Sequence, residues 1–257
     1  MVRGGGWGLM LTVVMPAYNE AEFLEQSVHD VTAGLRARGE PFEIVVVENG
    51  STDGTLDLAR RLQAEDGVVR ALHRPAPDYG DALRAGLLDA RGDVVVNFDV
   101  DYYDLEFLAE AVDRVRAPGG PSIVVASKRS AGARDERPLR RRLVTYTFST
   151  LLHAGFGLGV SDTHGMKAMR RGDVERLARE CRFGIDLFDT ELILRAERAG
   201  LRVAELPAHV EERRPARTSI WTRVPRTVWG LVRLRVAIKG WRPPRPEPGA
   251  PGPPAGP

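Results

Sequence analysis

The sequence predicts an α/β fold: a mostly parallel central sheet flanked by helices. Three observations carry that prediction. Short Val/Ile runs recur without polar alternation, helical stretches separate them, and polar clusters fall at their ends. Unbroken β-branched runs suit strands buried on both faces, and intervening helices suit parallel crossovers.

Taken in order, the strands are LTVVM (11–15), EIVVV (43–47), VVRAL (68–72), VVVNF (94–98) and SIVVAS (122–127). Helices are expected near 20–37, 54–65, 80–91 and 105–116. Beyond these comes a basic, glycine-bearing segment from Lys128 to Arg142, then an uncharged helix-like stretch within 143–160 and Ser161-Asp162-Thr163-His164-Gly165. This part reads as an insert. A further helix opens at Asp186-Leu187-Phe188-Asp189-Thr190-Glu191 and ends near Gly200, and RVAEL (202–206) reads as a last strand.

The organisation that follows is an N-terminal extension at 1–10, a catalytic domain at 11–217 and a basic helical segment at 218–241. The domain divides into a first half (11–127) and a second half (128–217). Residues 218–241 hold five basic residues, no acidic ones, and Trp221, Trp229 and Trp241. Residues 242–257 include eight prolines, a composition that cannot pack as helix or strand, and read as a disordered tail.

A net charge of +2 conceals a division, because residues 1–127 carry 11 basic against 21 acidic side chains and residues 128–257 carry 26 against 14. An acidic half suits a cation held by carboxylates; a basic half suits phosphate or an anionic membrane surface. Cys181 is the single cysteine, which excludes an intrachain disulfide and a thiolate zinc cluster. The first ten residues lack the apolar stretch of a signal peptide, and the chain contains no long apolar run of spanning length. The expected location is the cytoplasm, with peripheral attachment to the inner face of the membrane through the 143–160 stretch and the Trp-bearing basic end.

In an open parallel sheet, ligands bind beyond the carboxyl ends of the strands. Three polar clusters fall there: Pro16-Ala17-Tyr18-Asn19-Glu20 after strand one, Glu48 to Thr55 after strand two, and Asp99-Val100-Asp101 after strand four. Two carboxylates at alternate positions fit a hard cation such as Mg²⁺ or Mn²⁺, which is commonly held by one or two carboxylates together with substrate phosphates. Ser51, Thr52 and Asp53 are also ordinary helix-capping residues.

The stretches VVMPAYNEAEFL, VVENGSTDGT, RAGLLDARGDVVVNFDVD and FDTELILRAERAGLRVAELP, in that order, resemble the family 2 glycosyltransferases of the Rossmann-like GT-A fold. The resemblance spans 11–219, is greatest to the branch of dolichyl- and polyprenyl-phosphate sugar synthases, and implies a nucleotide-binding half at 11–127 and an acceptor half at 128–217. It implies that Pro16, Ala17, Tyr18, Glu20, Glu48, Asp53 and Val100 line a nucleotide-sugar pocket, with Gly80 and Arg84 on a segment approaching the donor. It implies that Asp99 and Asp101 hold the metal and the diphosphate, and that Asp189 is the acidic position beside the acceptor.

Three departures stand out. Glu48-Asn49 replaces the usual Asp-Asp pair, Tyr103 stands where the lipid-linked branch often has Gln, and the late motif reads Arg214-Pro215-Ala216-Arg217-Thr218-Ser219 without its glycine. His209 is a candidate further metal ligand, since neutral imidazole coordinates metals. Lys128, Arg129, Arg141, Arg214 and Arg217 are candidates for the acceptor phosphate, because guanidinium forks phosphate oxygens.

The function expected is inverting transfer of a sugar from a nucleoside diphosphate sugar to a polyprenyl phosphate. A soluble acceptor, either a phosphorylated metabolite or a natural-product aglycone, is the alternative. Nucleotidyl transfer is disfavoured because no Gly-rich phosphate loop follows strand one, and no nucleic-acid partner is expected. A non-enzymatic binding module would not require both aspartates.

Overall fold

The computed structural model describes residues 9–127, 134–135, 150, 152, 155–184, 187–210 and 220–243, with the backbone alone for 134–135, 209–210 and 220–228. The first half alternates as the sequence predicts: β1 (Leu11–Ala17), α1 (Leu24–Arg38), β2 (Phe42–Asn49), α2 (Thr55–Glu65), β3 (Val69–Arg74), α3 (Tyr79–Asp89), β4 (Val94–Asn97), α4 (Leu105–Arg116) and β5 (Ile123–Ser127). Then come β6 (Arg134–Asp135), β7 (Lys167–Arg170), α5 (Arg171–Glu180), α6 (Phe188–Arg198), β8 (Val203–Pro207), β9 (His209–Val210) and α7 (Ile220–Lys239).

Seven strands form one sheet in the order β3-β2-β1-β4-β7-β5-β8, and β6 pairs with β9 separately. All the ladders of the large sheet are parallel except those of β7, which runs antiparallel to both β4 and β5. The sequence reading had β5 follow β4 with no strand at 167–170. Only four residues long and charged at both ends, KAMR carries no long apolar signal.

Alternation along β1 divides the core. Leu11, Val13 and Met15 pack with α1, α2 and α4, whereas Val14 faces α3 and the second-half helices. Gly86 lets α3 lie close on β1, for a Cβ there would stand 2.3 Å from Val14 Cγ1. Local chemistry sets the helix ends: Asp78 accepts from Asp81 N to start α3, and Asp104 accepts from Glu106 N and Phe107 N to start α4. Helix α1 begins at Leu24, later than the sequence suggested, because residues 20–23 form a turn in which Glu20 O accepts from Phe23 N. Part of the expected insert belongs to the core, since Leu152, Leu158 and Val160 are buried with the second-half helices.

Helix α7 has two faces. Leu231, Leu234 and Ile238 are buried at helical spacing, while Trp229 (64% exposed), Val232 (50%) and Val236 (73%) form an outward stripe. Among the described residues, no helix is long and apolar enough to cross a membrane.

Candidate active site

The ends of β1, β2 and β4 and the start of β7 make one rim. The first two ends are tied together by their loops. Asn19, in a left-handed conformation (φ 55°), accepts at Oδ1 from Thr52 N (2.8 Å) and donates its own N–H to Ser51 Oγ (2.9 Å). Glu20 N donates to Thr55 Oγ1 (2.9 Å), and Ala21 N to Asp53 Oδ2 (3.2 Å). Asp53 also accepts from Thr55 N and Oγ1. Burial works to raise the Asp53 carboxyl, but the bonds from Thr55 and Ala21 outweigh it and lower the pKa. This carboxylate is therefore committed to the loop.

Glu48 is buried at the end of β2, accepting from Ser51 N and pairing with His73 Nδ1. Pro16 and Ala17 are buried in β1 opposite Val47 and Glu48, and Tyr18 is the first exposed residue beyond them. The ladder from β1 to β4 ends at Val14 with Asn97, and Val14 O takes the N–H of Phe98. Pro16, two residues on, has its missing N–H where no β4 partner remains.

Asp99 and Asp101 sit in a tight reversal after β4. Asp99 and Tyr102 exchange backbone hydrogen bonds of 3.1 and 3.2 Å, while Ser27 Oγ donates to the carbonyl of buried Val100 at 2.6 Å. Tyr79, the first residue of α3, donates its hydroxyl to Asp99 Oδ1 at 2.8 Å. From the other side comes β7, whose first residue, Lys167, is registered with Asn97. Lys167 Nζ donates to Gly165 O (2.6 Å) and lies 3.0 Å from Asp189 Oδ1, both side chains being buried.

The electrostatics are those of crowded, buried acidic groups. Burial first, then repulsion from Asp101 and Asp189, raises the Asp99 pKa against the opposing effects of Tyr79 and Lys167. Burial likewise pushes Tyr79 well above its ordinary value, with Asp99 and Asp189 adding to it, so the phenol stays protonated as a donor. Among the described residues, Asp99 is acted on by the carboxylates of Asp101 and Asp189 and by the ammonium of Lys167. Among the described residues no three His, Cys, Asp or Glu side chains converge as a metal cage. A hard cation sharing Asp99 and Asp101 with substrate phosphates fits such a donor set.

Other expected residues are placed differently. Tyr103 donates to Asp30 Oδ2 at 2.6 Å and packs on Phe98, so its phenol is engaged with α1. A Cβ on Gly80 would meet Gly184 C and Phe188 Cβ at 2.8 Å, which makes this glycine a packing contact between α3 and α6. Arg84 lines a separate cleft, described below. Glu191 is turned away from the rim: Oε2 accepts from Arg182 N and Phe183 N, and Oε1 from Arg195. The side chain of His209 and the residues Lys128, Arg129, Arg141, Arg214 and Arg217 lie outside what the structure describes.

The sequence reading passed over Tyr79, Lys167 and Asn97. A tyrosine opening a helix after strand three, and a lysine between the apolar residues Met166 and Ala168, were the available signals.

Residues 12–178 match the model of the family described as Glycosyl transferase family 2. A glycosyltransferase named AglD from Haloferax volcanii is 33% identical over 242 residues, covering 89% of this chain and 39% of that protein. A dolichyl-phosphate beta-glucosyltransferase of Trichomonas vaginalis is 27% identical, covering 79% of this chain and 66% of its own length. The chain thus spans less than two-thirds of either relative. Among solved structures, a mannosyltransferase from Pyrobaculum calidifontis in complex with GDP-Man and Mn²⁺ superimposes with a TM-score of 0.61 at 24% identity, covering 91% of this chain and 65% of that one. That likeness extends the agreement to the fold. The strand order, the rim with its paired aspartates and the match over 12–178 lead to one assignment: the chain belongs to glycosyl transferase family 2.

Proposed function

We propose that the protein transfers a sugar from a nucleoside diphosphate sugar to a polyprenyl phosphate, with inversion, and that Asp99 and Asp101 hold Mg²⁺ or Mn²⁺ during the reaction. The observation that carries this reading is the crowding of negative charge at the rim, where Asp101 and Asp189 both repel the buried Asp99 carboxylate beside the Lys167–Asp189 pair. The name of the dolichyl-phosphate relative supports the acceptor.

Bound there, the cation would neutralise charge on the departing nucleoside diphosphate. The chain's own residues orient the reaction. Tyr79 fixes one oxygen of Asp99, the tied loops after β1 and β2 flank the nucleotide side, and Lys167 holds Asp189 at the acceptor side. An acceptor phosphate oxygen forms the new bond to the anomeric carbon as the bond to the donor phosphate breaks. Because that oxygen is already anionic at neutral pH, no strong base is needed, and Asp189 positions rather than deprotonates. The exposed stripe of α7, with Arg233 and Arg235 beside it, suits a peripheral position on the membrane that contains such an acceptor.

The test follows nucleoside diphosphate release with Mn²⁺ or Mg²⁺, a panel of donors, and either a short polyprenyl phosphate or soluble acceptors. Release that requires polyprenyl phosphate and is lost in Asp101→Ala supports the proposal. Release with soluble acceptors alone overturns the acceptor assignment, and no release with any donor overturns the activity.

A further inference from the structure

On the face formed by α3, α5, α6 and the end of α7 lies a cleft of about 810 Å³. Arg84, Arg179, Arg182, Arg195 and Arg242 line it, with Trp241 as an aromatic wall. None of Asp99, Asp101, Lys167 or Asp189 belongs to that lining. Along α3, Gly80, which packs onto Gly184 and Phe188, lies between Tyr79 at the rim and Arg84 in the cleft.

Two of the five arginines are paired with carboxylates inside the fold. Arg195 is held by Glu191 at 2.7 Å and stands 3.5 Å from Glu180, while Arg179 pairs with Glu175. Glu180 is further engaged by Trp241 Nε1, which donates to it at 2.6 Å. The guanidinium groups of Arg84, Arg182 and Arg242 have no carboxylate partner among the described residues. Three such charges around one concavity repel one another, and an anion with several oxygens would relieve that repulsion with forked hydrogen bonds.

One carboxylate shapes the cleft. Glu191 takes the N–H groups of Arg182 and Phe183 on one oxygen and Arg195 on the other, so the loop and the helix wall are fixed together. Arg195 also lies over the Trp241 ring, 4.9 Å from its centroid, which fastens the end of α7 to the same wall.

We propose that this cleft is a second anion site, binding a phosphate or diphosphate group independently of the rim that holds Asp99 and Asp101. The phosphate can belong to a small soluble molecule or to a lipid headgroup, since Arg242 and the exposed stripe of α7 lie on neighbouring parts of one segment. Binding here needs no divalent cation.

The experiment uses the full chain in EDTA, which removes cation-dependent binding at the rim. Inorganic pyrophosphate is titrated by calorimetry, and vesicles of phosphatidylcholine with or without phosphatidylglycerol are co-sedimented, for the wild type and for Arg182→Gln/Arg242→Gln. Both substituted side chains are exposed, and circular dichroism verifies the fold. Weakening of pyrophosphate binding by about tenfold or more in the variant supports the site, as expected for loss of charge-assisted hydrogen bonds. Loss of sedimentation with phosphatidylglycerol vesicles alone also supports it and assigns the anion to a lipid. Binding of both probes unchanged by the substitutions, or absent from the wild type, overturns the proposal. Arg84→Gln gives an independent check from α3. Because nothing here depends on sugar transfer, the proposal stands or falls separately from the activity.

Discussion

The hydroxyl of Tyr79 reaches across from the first turn of α3 to Asp99 Oδ1, 2.8 Å away, joining a helix that follows β3 to the reversal that follows β4. One hydrogen bond thus sets the orientation of a carboxylate whose neighbours Asp101 and Asp189 both repel it. Tyr79→Phe keeps the ring and removes the donor. A hydrogen bond to a charged group contributes about 1.5–3 kcal/mol, so we expect turnover to fall by roughly 10- to 100-fold with little change in melting temperature. Steady-state nucleoside diphosphate release, with thermal unfolding alongside, measures both.

Lys167 and Asp189 form a buried pair whose partners depend on each other. Lys167→Met strands the carboxylate and should destabilise the fold by about 3–5 kcal/mol, as breaking one side of a buried ion pair does. Adding Asp189→Asn should restore a substantial part of that loss. Urea unfolding of the two single variants and the double variant gives the coupling directly, and equal losses in Lys167→Met and the double variant would contradict it.

Gly86 leaves no room for a side chain, since a Cβ would fall 2.3 Å from Val14 Cγ1 and 3.0 Å from Val47 Cγ2. Gly86→Val should therefore push α3 off the sheet at a cost of about 1–3 kcal/mol or more, the usual range for overpacking. The urea midpoint reports that cost. Displacement of α3 also moves Tyr79, so turnover should fall in the same variant.

Burial raises the Cys181 thiol above its ordinary 9.0, with Glu191 adding to the effect. The neutral thiol is thus favoured in the folded chain, and its contribution to stability is complete below pH 9 and lost as pH rises further. Relative to Cys181→Ala, the wild type should lose about 1.4 kcal/mol between neutral pH and pH 10. Native alkylation at pH 8 should be slow and should become fast in denaturant.

The first half of the fold was legible because all its strands but β3, which carries Arg70, are built on unbroken Val/Ile runs and each turn carries its own polar signature. The place of Asp99 and Asp101 at the end of β4 was legible for the same reason, as charges set directly after VVVNF. Strand β7 was not. Its place between β4 and β5 follows from pairings with both neighbours, which four residues cannot advertise. With β7 hidden, Lys167 had no reason to be associated with Asp189, although Asp189 itself was found. Tyr79 was hidden differently, because a phenol becomes a donor to Asp99 only once β3 and β4 have brought their loops together. Asp53 has a part the sequence does not reveal: its carboxylate also ties the loop after β2 to Ala21 and Thr55.

Strand β7 runs against its neighbours, so it supplies its opening residue to the rim where a parallel strand would supply its closing one. Everything between β5 and Lys167 enters the sheet through a segment already locked in register with β4 and β5. The closure entropy of a long connection grows slowly with its length. A change in the length of that connection would by itself cost little closure entropy and leave Lys167 beside Asp189. The reversed strand works as a mechanical clutch, holding Lys167 in a fixed place at the rim whatever the length of chain that leads into it.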